Sequence, residues 1–95
     1  MNNTFLATNK SYFGSGLRAI DLLILSQVEE FHRNQCSCCL TNEQFSSMFG
    51  ESLYAVKASL DRLENKKYIT RSVEYIEGNG RSNKQRIIKL NHHEN

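Results

Sequence analysis

The side chains best suited to chemistry sit in the last third of the chain. Arg81, Lys84, Arg86 and Lys89 fall within nine residues, with Asn83 and Gln85 between them. Cations spaced by amides suit a polyanion, because the cations neutralise phosphates while the amides can bond phosphate oxygens or base edges. Arg71, Lys66 and Lys67 can extend the patch, although the two lysines equally suit the negative end of a helix. Tyr54 precedes Lys57 by three residues, and Tyr75 follows Arg71 by four. An exposed aromatic beside a cation can stack a base while the cation holds the phosphate. The plainer alternatives are a solvated hairpin for the cations, packing at a helix start for Tyr54, and sheet lining for Tyr75.

Other chemistries are poorly provided for. His32, Cys36, Cys38 and Cys39, with His92 and His93, contain ligand types, but H-x3-C-x-C-C does not match paired C-x2-C knuckles. On a strand Cys38 and Cys39 point to opposite faces, so small buried thiols are the expected reading and no metal is assigned. No G-x-x-x-x-G-K-[ST] loop or helix-opening G-x-G-x-x-G turn is present, so no cofactor is expected. The carboxylates are scattered singly rather than clustered as in a nuclease. No catalytic residue is assigned, and an enzyme is not expected.

At 95 residues the chain has the size of one domain. The net charge of +2 is too small to specify a partner. Its distribution says more: residues 1–56 carry a net −2 and residues 57–95 a net +4. The three cysteines are crowded and odd in number, which argues against a disulfide framework. No run approaches the roughly 20 apolar residues that cross a membrane, and MNNTFLATNK lacks a signal-peptide core. A cytoplasmic location without membrane association is expected.

These residues must be positioned by a small set of elements. Residues 1–14 read as an N-terminal arm with Phe5, Leu6, Tyr12 and Phe13 available to dock. Leu17, Ile20, Ile24, Val28 and Phe31 recur at helical spacing, widened by Leu23 and Leu25, with Ser15 and Gly16 marking the start and Asn34 the end. Cys38, Cys39 and Leu40 suit a short strand. Thr41 and Gln44 form a capping box for a helix whose buried face is Phe45, Met48 and Phe49, ending at Gly50. Ser52 caps a longer helix with Leu53, Val56, Leu60 and Leu63 inward. Tyr68 reads as core. Ile69 to Ile76 and Lys84 to Leu90 read as two strands joined by a Gly78-Asn79-Gly80 turn. Residues 91–95 read as a frayed tail.

Helix, tight turn, longer helix and basic hairpin form one pattern. N-E-Q-F at 42–45, G-E-S-L-Y-A-V at 50–56 and L-x-x-L-x-x-x-x-Y-I at 60–69 resemble winged helix-turn-helix domains, those of plasmid and phage replication proteins in particular, including replication initiators and replisome organisers. The likeness covers residues from about 5 to 90. It implies an α+β, mostly α fold: a three-helix core with a short strand and a two-stranded β wing, spanning residues 15–90. It also implies that the helix after Ser52 is the recognition helix and that Ile69 to Leu90 is the wing. The outer face of that helix departs from the family pattern. It would hold Leu53 or Tyr54, Lys57, Ala58 and Asp61, where family members usually carry basic or forked hydrogen-bonding residues.

The resemblance implies non-catalytic DNA binding by an accessory of mobile-element replication. Because the outer helix face is poor in base readers, a grip largely without sequence specificity is expected, with single-stranded DNA or duplex as the partner. The expected contacts are Tyr54, Lys57, Arg71, Tyr75, Arg81, Lys84, Arg86 and Lys89. Two alternatives stay open: a sequence-specific duplex-binding transcription regulator, working as a homodimer, and an adaptor that recruits a replication enzyme through its apolar arm.

Overall fold

A computed structural model describes residues 16–78 and 81–91, without the side chains of 77, 78, 81 and 82. Three helices are followed by a two-stranded antiparallel hairpin, an α+β arrangement that is mostly helical. The expected arm at 1–14, the turn at 79–80 and the tail from 92 onward lie outside the described residues.

Helix α1, Ala19–Arg33, buries Ile20, Ile24 and Val28 along one stripe. It begins later than the Ser15-Gly16 signal suggested. Arg18 is still extended (φ −89°, ψ 166°), and its backbone N–H donates to Asp21 Oδ2 at 2.8 Å. The carboxylate satisfies a donor that the helix leaves open, so the first turn forms only beyond Arg18. At the other end the Asn34 side chain donates to the Glu30 carbonyl at 3.0 Å, and Gln35 at φ 59° reverses the chain.

Helix α2, Asn42–Phe49, carries the expected capping box. Gln44 N–H donates to Thr41 Oγ1 at 3.1 Å, and Thr41 N–H donates to Gln44 Oε1 at 2.8 Å. Gly50 ends it at φ 65°, a left-handed conformation that costs a residue with a Cβ. Phe45 is fully buried and stacks on Phe49 with ring centroids 6.1 Å apart. Met48, expected inward, is 47% exposed. Phe45 and Phe49 occupy the core-facing row, and Met48 falls on its margin.

Helix α3, Leu53–Asn65, starts where Ser52 Oγ accepts from Ala55 N–H at 3.0 Å. Val56, Leu60 and Leu63 are fully buried. Leu53, also expected inward, is half exposed at the margin of the core. Lys67 at φ 68° turns the chain into the hairpin, and Tyr68 is half-buried against the core.

Strand β1, Ile69–Gly78, pairs with β2, Arg81–Leu90, in a register running from Ile69 opposite Leu90 to Gly78 opposite Arg81. The expected strand at Cys38–Leu40 reduces to a single antiparallel bridge. Cys38 N–H donates to the Ile88 carbonyl at 3.3 Å, and Ile88 N–H donates back at 2.9 Å. Pairing stops there because Thr41 already commits the chain to α2. The hairpin is therefore anchored at its base, where Ile69 and Ile88 are buried, while Val73, Tyr75 and Ile76 further out are exposed. Among the described residues, no helix is long and apolar enough to cross a membrane.

Candidate nucleic-acid interface

Along α3, Tyr54, Lys57 and Asp61 follow at spacings of three and four, which places them on one stripe. The buried residues Val56, Leu60 and Leu63 occupy the opposite side, so this stripe faces outward. Tyr54 is 83% exposed and Lys57 is exposed.

The stripe ends at the hairpin. Arg71 Nη2 donates to Asp61 Oδ1 at 2.9 Å, and Arg71 Nε donates to Glu64 Oε1 at 2.7 Å. Partial burial opposes the charge on Arg71, but the bonds to Asp61 and Glu64 outweigh it and raise the guanidinium's pKa. Both carboxylates are thereby paired to one guanidinium, which offsets one of their two charges, so Asp61 does not stand as a bare charge against phosphate.

Residues two apart on a strand share a face. Val73 and Tyr75 therefore continue outward from Arg71 on the hairpin face turned toward α3, and both are exposed, Tyr75 at 66%. The register sets Lys84 opposite Tyr75. Lys84 is exposed and shares that face. One connected surface thus runs from Tyr54 and Lys57, over the Asp61–Arg71 seam, to Val73, Tyr75 and Lys84.

The remaining expected contacts are placed elsewhere. Arg86 lies on the same strand face but turns inward, with Nη1 donating to Asn42 Oδ1 at 2.7 Å and Nη2 to the Leu40 carbonyl at 2.6 Å. Its Nε is buried without a partner. Burial, with Arg71 as a nearby like charge, lowers its pKa. Arg86 ties β2 to the start of α2, so its guanidinium is not presented to solvent as the expected contact would be. Lys89 is exposed but alternates onto the other hairpin face, opposite Thr70. The Arg81 side chain lies outside the described residues.

One charged cluster is absent from the sequence-based expectations. Asp21 on α1 is fully buried and takes both Arg62 donors, Nε at 2.9 Å and Nη2 at 2.7 Å, together with Ser59 Oγ at 2.5 Å. Burial pushes its pKa up, but the bonds from Arg62, Ser59 and the Arg18 N–H prevail and hold the carboxyl below its ordinary value. The signal was present: Asp21 interrupts the apolar run A-I-D-L-L-I-L on the buried side of α1, and Arg62 lies between the core leucines 60 and 63.

The cysteines diverge. Cys36 is exposed, Cys39 is half-buried, and Cys38 is buried with its thiol pKa raised by desolvation. Among the described residues no three His, Cys, Asp or Glu side chains are grouped to hold a metal ion; His92 and His93 lie outside them. No family model, curated protein or solved structure matches the chain.

Proposed function

We propose that the protein is a non-catalytic DNA-binding module of winged helix-turn-helix type, gripping DNA between α3 and the hairpin. One observation carries the reading. Two largely exposed tyrosines, Tyr54 and Tyr75, stand on different elements that Arg71 fastens together, each with a lysine beside it. Exposed aromatics flanked by cations are well suited to bases and phosphates.

The element order supports the winged-helix reading. So does the Cys38–Ile88 bridge, which adds a position to the sheet on the outer edge of β2. A grip largely without sequence specificity follows from the α3 stripe, whose one forked partner nearby, Arg71, is occupied by Asp61 and Glu64. No catalytic step is assigned. Asp21 is committed to Arg62 and Ser59, and burial favours the protonated thiol of Cys38. The likeness of residues 5–90 to plasmid and phage replication proteins extends the proposal to an accessory role in mobile-element replication. A polymerase, helicase or recombinase gene beside this one would support that extension.

The test is a titration of labelled DNA of random sequence followed by fluorescence anisotropy. Binding at low ionic strength that weakens steeply with added salt is expected, since lysine–phosphate contacts release counterions. No binding in dilute buffer would overturn the reading. A strong preference for one duplex sequence would replace it with an operator-binding regulator.

A further inference from the structure

We infer that the preferred ligand of this surface is a single strand, its bases stacked on Tyr54 and Tyr75 and its backbone crossing the Asp61–Arg71 seam. The inference rests on the DNA-binding reading and names its substrate class. It follows from what the surface offers and what it withholds.

A duplex presents phosphates and base edges, while its base faces are buried in the stack. Reading it in the major groove requires forked donors and acceptors on the inserted helix. The α3 stripe offers Tyr54, Lys57, Ala58 and Asp61, and Asp61 is already held by Arg71. Arg86 is likewise consumed within the fold. Two of the arginines nearest the surface are thus unavailable to phosphates, whereas a duplex carries a negative charge about every 1.7 Å.

A single strand presents open base faces, and the surface supplies matching partners. Tyr54 is 83% exposed with Leu53 beside it, and Tyr75 is 66% exposed with Val73 on the same strand face. Each tyrosine has one lysine within reach of the adjoining backbone, Lys57 by helical spacing and Lys84 by strand register. Tyr54 and Asp61 are about 10 Å apart along the helix axis. Arg71 and Tyr75 are about 13 Å apart along the strand. The two legs suit a short run of nucleotides, near the lower end of the roughly 4–16 covered by compact single-strand binders. Between them Arg71 pairs with both seam carboxylates, so the backbone crosses a partly compensated seam rather than two bare carboxylates.

The chain has no tryptophan and four tyrosines, so its intrinsic fluorescence reports tyrosine directly. The experiment compares a labelled oligo-dT with a random duplex of equal length by anisotropy, for the full chain and for Tyr54→Ala, Tyr75→Ala and the two Tyr→Phe variants. Both side chains are exposed, and thermal melts check that each variant folds. The expected result is strand binding at least as tight as duplex binding, with tyrosine quenching. Each alanine should cost roughly tenfold on the strand, phenylalanine should retain affinity, and duplex binding should change little. Tighter duplex binding, or alanine losses equal on both ligands, overturns the inference while the DNA-binding reading stands. Absence of binding to either ligand overturns both.

Discussion

Arg71 on the hairpin and Asp61 on α3 meet at 2.9 Å across the seam between the two elements. The same guanidinium reaches Glu64 at 2.6 Å, so one cation fixes the hairpin against α3 and offsets one of two negative charges. The pairs are partly exposed, and each is worth no more than about 1 kcal/mol to stability. Their weight is geometric and electrostatic. Arg71→Ala should therefore melt within a few degrees of the parent yet bind DNA more weakly, because it frees the hairpin base and uncovers two carboxylates. Calorimetry beside a DNA titration checks this; unchanged affinity would show that the seam plays no part in binding.

The converse substitution has the opposite sign. Asp61→Asn combined with Glu64→Gln removes two negative charges and releases Arg71 toward phosphate. DNA affinity should rise at low ionic strength, and log K should fall more steeply with log salt, by about one unit for each additional phosphate neutralised. Isothermal titration at several salt concentrations measures both. A drop in affinity would mean that the fixed hairpin matters more than the charge.

Arg86 and Lys84 lie two residues apart but should behave differently. Arg86 donates into the start of α2, and its loss leaves the Leu40 carbonyl and Asn42 side chain without their partner. Arg86→Ala should cost about 1–3 kcal/mol in urea unfolding and leave the affinity of the folded fraction nearly unchanged. Lys84→Ala should leave stability unaltered and weaken DNA binding. The reverse pattern would return Arg86 to the interface.

Asp21 governs stability and its acid limit. Asp21→Ala strands Arg62 beside the core and should cost up to about 3–5 kcal/mol, the range for breaking a buried pair on one side, reduced by the solvent that the part-exposed Arg62 keeps. The folded carboxyl lies below its unfolded pKa of about 3.9. The sign follows from linkage. The stabilisation is fully present above the unfolded value and is lost as pH falls from there through the lowered folded value. Urea midpoints should be flat with respect to this group near neutrality and drop below about pH 4. An Asp21→Asn variant should show a smaller acid-side drop than the parent.

Much of the backbone plan was legible in the chain. Thr41 with Gln44, Gly50 and Ser52 are local signals, because a cap or a left-handed turn involves residues only a few positions apart, and each acts as its type implies. The stripe Ile20, Ile24 and Val28 and the alternation of the strands were legible for the same reason. Met48 and Leu53 were misplaced because periodicity gives a helix face but not its width, and both lie at the margin of a small core. The fate of the arginines was not legible. Arg71, Arg86 and Arg62 find their acceptors 7 to 46 residues away, and only the folded chain shows which cations are occupied. Composition made the hairpin look uniformly basic, whereas the structure separates an exposed Lys84 from an inward Arg86.

The central claim is that α3 and the hairpin form one nucleic-acid surface. Backbone amide shifts of the isotope-labelled protein, followed while an oligonucleotide is added in low-salt buffer, address it residue by residue. The largest changes are expected from Tyr54 to Asp61, from Arg71 to Tyr75 and at Lys84, with α1 nearly still. Changes centred on α1, or a spectrum that does not respond to DNA at all, would contradict it.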